Sequence, residues 1–270
     1  MSASEALERE LQLDEDQIVW VDRAGLAWPA SRAVTTVVAP PTASRGACYG
    51  LGFAEARNPL VAFTDSETVL DTGWRRAVEG AFARPEVAVV GGPVRPSPSP
   101  SPVTWAGFLV DYGAHSVAPF VSASGDVAGS NVAYRRTVLP PAPAPIWKSS
   151  VNADLRAGGT RPVLSTGMGV TSSRQYRWRD LIEGRARAGA VYGAQRSAGW
   201  SPPLRLVAAT GCVALPALGF LRLEARLRGD DVMRARLLRT CPGVAVALLA
   251  WSAGEAAGYV SGRSEGCSVW

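Results

Sequence analysis

Short apolar runs alternate with stretches of helical periodicity over much of the chain. Four runs have the length and composition of buried strands: Ile18–Asp22, Val34–Val38, Leu60–Asp65 and Val87–Gly92. Between the third and the fourth, Trp74, Val78 and Phe82 recur at helical spacing and predict a helix from Gly73 to Phe82. Strands that alternate with helices in this way are typical of an α/β fold.

The last quarter of the chain has a different pattern. Two nearly uncharged stretches, Leu204–Leu221 and Cys241–Val260, flank the arginine-rich stretch Arg222–Arg239. Each apolar stretch lies at the short end of membrane-spanning length, and Glu255 would be costly in lipid unless it faced protein or the membrane surface. A buried core hairpin is one interpretation. The flanking arginines favour a membrane-associated helical hairpin on the cytoplasmic face of the cell membrane.

The division of the chain follows from this change. We predict one α/β domain over residues 1–200 and a membrane-associated helical segment over residues 201–270.

Two carboxylates follow the apolar run at Leu60. In a strand, alternate side chains face the same way, so Asp65 and Glu67 would point to one side. Carboxylate oxygens placed in this way can hold one divalent cation such as Mg²⁺ together with substrate phosphates. The alternative is a polar turn in which both acids are merely solvated.

Composition narrows the set of partners. The chain has 270 residues and a formal net charge of +5, and nearly all of its positive charge is arginine, since Lys148 is the only lysine. Arginine suits phosphate, so nucleotides and anionic lipids are favoured partners. Without zinc-finger spacing, an RNP motif or a dense basic run, nucleic acid is not a predicted partner. The single histidine, His115, excludes a histidine-rich zinc site and argues against histidine-based catalysis.

Several acidic residues and glycine-containing motifs follow one another in a characteristic order along the chain. Asp22 ends one predicted strand, Asp65-Ser66-Glu67 ends a later one, and two motifs follow: Gly91-Gly92-Pro93-Val94 and Gly129-Ser130-Asn131-Val132-Ala133-Tyr134-Arg135-Arg136. From about Leu7 to Arg196, this order resembles the family 2 glycosyltransferases, which are inverting and often membrane-associated. The resemblance implies a GT-A, Rossmann-like nucleotide-sugar-binding domain. It also implies a hexosyltransferase-type enzyme and a nucleotide-sugar donor.

The resemblance also implies roles for particular residues. Asp22 would contact the nucleoside, and Asp65 and Glu67 would hold the Mg²⁺ or Mn²⁺ that bridges the donor diphosphate. Donor and acceptor contacts would come from four further residues: Asn131, Arg135, Arg136 and Arg185. For the arginines, a solvated or lipid-facing basic surface is the alternative.

Two departures from the family pattern are visible. The usual first strand is not found, and the chain begins at what looks like the following helix. The Glu-Asp pair that supplies the general base is also absent, because Val151 and Asn152 stand in its place and Lys148 fills an alternative acidic slot. Asp154 is the nearest carboxylate and becomes the tentative base.

Three hypotheses remain open. The first is a glycosyltransferase that moves a sugar to a lipid-linked or cell-envelope glycan acceptor. The second is a truncated, non-catalytic membrane scaffold or partner protein. The third is a soluble nucleotide-binding domain whose apolar tail is only core.

Overall fold

The protein was analysed as a computed structural model that describes residues 3–11, 15–23, 25, 34–116 and 127–262. Within these residues the strands are β1 (Ile18–Asp22), β2 (Val34–Val38), β3 (Leu60–Thr64), β4 (Thr68–Leu70), β5 (Val89–Gly91), β6 (Val94–Arg95), β7 (Asn131–Arg135), β8 (Val163–Leu164) and β9 (Val170–Ser172). The helices are α1 (Ala3–Glu10), α2 (Arg45–Glu55), α3 (Trp74–Phe82), α4 (Pro102–Tyr112), α5 (Lys148–Ala157), α6 (Trp178–Arg196), α7 (Pro202–Gly211), α8 (Leu215–Arg226), α9 (Asp231–Arg239) and α10 (Cys241–Ser261). The prediction of a mixed α/β protein is confirmed.

The chain divides into two compact units. The first comprises residues 1–97 and 118–173, and the second comprises residues 98–117 and 174–270. All of the described strands belong to the first unit, and the second is helical. The structure groups α6 with the apolar C-terminal helices, whereas the sequence-based division at residue 200 places it in the first domain. The two-domain division by function therefore stays a prediction.

Three sheets organise the first unit. The largest has the order β3-β7-β5-β8, in which β7 is antiparallel to both of its neighbours and β5 is parallel to β8. A parallel pair, β1-β2, and a three-stranded sheet, β4-β9-β6, complete the set. Among the described residues β1 and β3 are not paired with each other, so β3 forms one edge of the largest sheet.

The core of the first unit lies against the largest sheet. Val61 and Phe63 of β3 are buried while Ala62 between them is exposed, as strand alternation requires. They pack with Val132 and Tyr134 of β7 and with Phe53 of α2. This packing fixes the position of α2 near the end of β3.

Closely packed helices form the second unit. Gly254 of α10 lies against the backbone of Ala186 in α6, and Gly193 of α6 lies against the backbone of Glu255, with no room for a Cβ atom at either glycine. The Glu255 side chain is buried and accepts hydrogen bonds from Trp251 Nε1 and from the Tyr259 hydroxyl, both at 2.8 Å. The one acid of this apolar helix therefore faces protein.

Two helical segments are long and apolar enough to cross a membrane. They are Pro202–Arg226, which is largely exposed, and Cys241–Ser261, which is about half buried. Length and composition alone are weak evidence, because core helices of soluble proteins meet the same criteria. Membrane association therefore stays a prediction.

Candidate functional site

Asp65 lies just beyond the carboxyl end of β3, where α2 provides two partners. Ser44 caps α2 by accepting the Ala47 N–H at 3.1 Å, so the helix begins at Arg45. Arg45 and Tyr49 are four residues apart and share one face of the helix. The Tyr49 hydroxyl donates to Asp65 Oδ1 at 3.0 Å, and Arg45 Nη1 lies 4.0 Å from Asp65 Oδ2.

Lys148, at the start of α5, brings its amine to the same place. Lys148 Nζ lies 3.7 Å from the centre of the Tyr49 ring and 5.5 Å from that of Phe63. The Nζ atom is buried and has no hydrogen-bond partner among the described residues. Burial lowers the pKa of the Lys148 ammonium to about 7, although the nearby Asp65 carboxylate opposes the shift.

Small residues in α2 make this approach possible. The Trp147 ring rests against Gly46, and the carbonyls of Pro143 and Ala144 rest against Gly50, where a Cβ atom would collide with them. The chain leading into α5 can therefore run close along α2. This path places the Lys148 side chain over Tyr49.

Two further buried hydroxyls lie at the paired ends of β3 and β7. Thr64, the last residue of β3, pairs with Asn131 in the antiparallel ladder, and Ser130 immediately precedes that residue. The side-chain oxygens of Thr64 and Ser130 are buried and have no hydrogen-bond partner among the described residues. The adjacent Gly129 faces Lys148, since a Cβ atom there would lie 3.3 Å from Lys148 Cε. We call Asp65 and Lys148, with Arg45 and Tyr49, the β3–β7 site.

The chemistry of the β3–β7 site suits an oxygen-rich anion. Leaving a buried polar group without a partner costs about 1–3 kcal/mol, and native proteins contain few such groups. In the described part of the first unit, Lys148 Nζ is the only nitrogen among them. An amine can donate to phosphate or sugar oxygens, and a guanidinium near it adds charge.

A divalent cation fits these residues poorly. The strand that was predicted to run through Asp65 ends at Thr64, and the Thr68 N–H donates to the Asp65 carbonyl at 3.0 Å. Asp65 and Glu67 therefore lie in a turn, so the expected alternation onto one face is wrong. Tyr49 and Arg45 already face the Asp65 carboxylate, and the Lys148 amine lies near it. Within the described residues no group of three or more metal-ligating side chains occurs.

Asn131, a predicted donor or acceptor contact, is buried in protein contacts. Its Oδ1 accepts the Trp74 indole N–H at 2.9 Å, and its Nδ2 donates to the carbonyls of Met168 at 2.6 Å and Pro93 at 3.3 Å. The amide thus joins α3, β7 and the loop before β9. These bonds give Asn131 a structural role.

Arg135 and Arg136, predicted for the same contacts, also bond to backbone carbonyls. The Arg135 guanidinium donates to Val87 at 2.8 Å, to Phe82 at 2.9 Å and to Arg84 at 3.0 Å. That of Arg136 donates to the Ala56 carbonyl and lies over the Phe53 ring. These contacts hold the ends of α3 and α2 against the sheet.

Asp22, the predicted nucleoside contact, lies at the end of β1, as expected, and is buried.

Asp154, the predicted base, lies on α5 close in sequence to Asn152. The Asn152 side chain faces the core and accepts a hydrogen bond from the Tyr134 hydroxyl at 2.8 Å. Asp154 follows two residues later, about 200° further around the helix, and is exposed. It lines an open, mostly apolar cavity of about 510 Å³ with Val151 and Leu155 among its neighbours.

Arg185 belongs to the second unit. Its guanidinium forms an ion pair with Asp111, which also accepts the Tyr176 hydroxyl. The ring of Trp251 lies 5.9 Å from the guanidinium carbon. Arg187, farther along α6, pairs with Glu183 at 3.0 Å on the surface. Both arginines thus have protein partners within their own unit.

Most of the β3–β7 site was not predicted from the sequence. Lys148 stood out as the only lysine and as the residue that fills an acidic slot, and Tyr49 and Arg45 were not singled out. The one available signal was the presence of a single lysine in a chain whose other basic residues are arginine. The sequence gives no direct signal that this lysine is buried against rings from α2 and β3.

Comparisons with known proteins leave the family unassigned. No protein-family model matches the chain, and no curated protein sequence matches it. Among solved structures, the chain is similar to the mannosyltransferase PcManGT from Pyrobaculum calidifontis, solved in complex with GDP-Man and Mn²⁺. The identity is 17%, the match covers 91% of this chain and 81% of that chain, and the TM-score is 0.48. A TM-score of this size does not establish a shared fold, so the donor and the metal ion remain properties of that enzyme.

Proposed function

We propose that the first unit binds a nucleoside-diphosphate sugar at the β3–β7 site, and that the chain is a GT-A glycosyltransferase of the family 2 type. The observation that carries the proposal is the buried, unpartnered Lys148 amine, which lies with Tyr49 and Arg45 near Asp65 at the end of β3. The order of sequence motifs around the same strands supports it. The acceptor would be a lipid-linked or cell-envelope glycan.

The residues of the site divide between the two parts of the donor. Asp22, at the end of β1, is the proposed contact to the nucleoside. Lys148 and Arg45 would face the diphosphate. Asp65 would orient Tyr49 and Arg45.

The second unit would place the chemistry at the cytoplasmic face of the cell membrane. The segment Pro202–Arg226 carries exposed apolar side chains, including Leu206, Val207 and Val213. Exposed arginines follow in α9. Apolar surface bordered by arginine suits a lipid surface that carries anionic headgroups.

No Mg²⁺ or Mn²⁺ ion is proposed at Asp65 and Glu67, although the family resemblance implies one there. Glu67 is exposed in a turn, and the neighbours of Asp65 are a hydroxyl and two basic side chains. Asn131, Arg135, Arg136 and Arg185 are likewise left out of donor binding, because their polar groups bond to protein.

The test is a calorimetric titration of the full, detergent-solubilised chain with GDP and UDP. We expect saturable binding of one of them. An Arg45→Met variant, which removes the guanidinium beside Asp65, should bind several-fold more weakly. If the wild-type chain binds neither nucleotide, the proposed function is wrong.

A specific observation favours a second candidate, a non-catalytic glycosyltransferase-like membrane scaffold or partner protein. Val151 and Asn152, in the place of the expected base, are both buried, and Asp154 lies on a different side of α5. If Asp154 is the base, Asp154→Asn should reduce sugar transfer about a hundredfold or more and leave nucleotide binding unchanged. Nucleotide binding without transfer to any lipid-linked or glycan acceptor would instead support the scaffold.

A further inference from the structure

We infer that Lys148 and Arg45, and not a divalent cation, neutralise the diphosphate that enters the β3–β7 site. This inference rests on the proposed function, because it assumes that the ligand is a nucleoside diphosphate. It differs from the expectation drawn from the sequence, in which Asp65 and Glu67 hold a metal ion.

The first argument is the state of the Lys148 amine. Its Nζ is buried against Tyr49 and Phe63, and no oxygen among the described residues accepts a hydrogen bond from it. A buried ammonium is costly unless an anion faces it. A diphosphate oxygen would supply that anion and would accept a hydrogen bond from the amine.

The second argument is the position of Arg45. It is the first residue of α2, and its side chain is 39% exposed. Its guanidinium lies 4.0 Å from the Asp65 carboxylate. A guanidinium in this position can bind a phosphate through two parallel hydrogen bonds while Asp65 remains beside it.

The third argument is the charge at the place where a metal would bind. The Arg45 guanidinium lies 4.0 Å from the Asp65 carboxylate, the Lys148 amine is near it, and the Tyr49 hydroxyl bonds to one of its oxygens. A divalent cation at Asp65 would be repelled by the Arg45 guanidinium, and by the Lys148 amine when that amine is protonated. Charge that already belongs to the protein therefore takes the place of the metal.

The experiment is nucleotide titration in EDTA and, separately, in excess Mn²⁺. The variant is Lys148→Met, which keeps an unbranched side chain and removes the amine. The matched control is Arg76→Met, which removes a positive charge from an exposed position on α3 of the same unit. Each variant is also titrated with the nucleoside alone, which has no diphosphate.

We expect wild-type affinity for the nucleoside diphosphate to be the same in EDTA and in Mn²⁺. Lys148→Met should weaken that affinity at least tenfold, about 1.4 kcal/mol, with no restoration by Mn²⁺. Nucleoside affinity should be unchanged in this variant, which a merely structural role of Lys148 would not predict. Arg76→Met should bind as the wild type does.

Two results would overturn the inference and leave the proposed function intact. They are nucleotide binding that appears only with Mn²⁺, and nucleotide binding in EDTA that Lys148→Met leaves unchanged. Failure of the wild-type chain to bind any nucleotide in either condition would overturn the proposed function itself, and the inference with it.

Discussion

At the scale of single residues, Lys148 determines the character of the site. Its amine is held by two aromatic rings and has no hydrogen-bond acceptor among the described residues. A group in this state lowers the stability of the fold. A cost of this kind is common where a protein keeps a polar group ready for a ligand.

The first prediction concerns the pH dependence of stability. The pKa of Lys148 is lowered to about 7 in the folded chain from its ordinary 10.5, with Asp65, Arg45 and Tyr49 as its polar neighbours. Between these values the unfolded chain binds more protons than the folded chain, so this residue makes stability rise with pH across that window. Lys148→Met should remove this rise and increase the free energy of unfolding near neutral pH by about 1–3 kcal/mol.

Thermal unfolding of both chains between pH 7 and pH 10 measures the effect. The difference between variant and wild type should be largest at the neutral end. Arg76→Met serves as the control, because its side chain is exposed. If Lys148→Met were less stable than the wild type at neutral pH, the amine would not be an unsatisfied group.

The residues of the site illustrate what sequence could and could not predict. The position of Asp65 after a buried strand was predictable, because apolar runs that end in an acid are a local signal. The partners of Asp65 were not, since Arg45 and Tyr49 come from a separate helix. The burial of Lys148 depends on Phe63 and Tyr49, which are distant in sequence and meet only in the folded chain.

At the scale of elements, strands and helices were largely predictable. The bounds of β1 and β2 are as predicted, and the predicted third strand is one residue too long. This difference of one residue is important, because the chain turns from Asp65 to Thr68 and is not extended there. The strand alternation that would have placed Asp65 and Glu67 on one face is therefore absent. Asp154 shows a similar effect. It lies two positions after Asn152, which stands in the place of the expected base, and two positions along a helix turn a side chain to nearly the opposite side.

The second prediction concerns the contact between α6 and α10. A Cβ atom at Gly254 would collide with the Ala186 carbonyl, whereas one at Gly211, also in a helical conformation, would meet nothing. Gly254→Ala should therefore lower the free energy of unfolding by about 1–3 kcal/mol through overpacking. Gly211→Ala should be neutral or stabilise by up to about 1 kcal/mol through helix propensity.

Thermal unfolding of the detergent-solubilised chain compares the two substitutions. A lower midpoint for Gly254→Ala alone would support the close helix contact. Equal midpoints for the two variants would show that the helices are not packed at this distance.

At the scale of the whole molecule, lipid binding is the proposed role of the second unit. The exposed apolar side chains of Pro202–Arg226 require a partner, and the arginines around them favour a membrane surface. Sequence reasoning located both apolar helices from their composition. Composition alone does not distinguish lipid from a protein partner, because both bury apolar surface.

The third prediction therefore tests membrane association. The expressed chain should stay with the membrane fraction after a high-salt wash, since salt screens arginine–lipid attraction but not apolar insertion. Leu206→Asp, on the exposed face of α7, should shift it to the soluble fraction. Val38→Asp, at an even more exposed apolar residue of the first unit, should not. Release of the wild-type chain by salt alone would contradict an apolar anchor.

One measurement tests the central claim, that a nucleoside diphosphate binds at the β3–β7 site, most directly. Because Lys148 is the only lysine, lysine labelled with ¹³C at Cε gives one side-chain NMR signal from the whole chain. On addition of GDP or UDP in EDTA, the account predicts that this signal shifts and saturates together with binding. A signal that stays unchanged while either nucleotide binds would place the ligand elsewhere and would contradict the account.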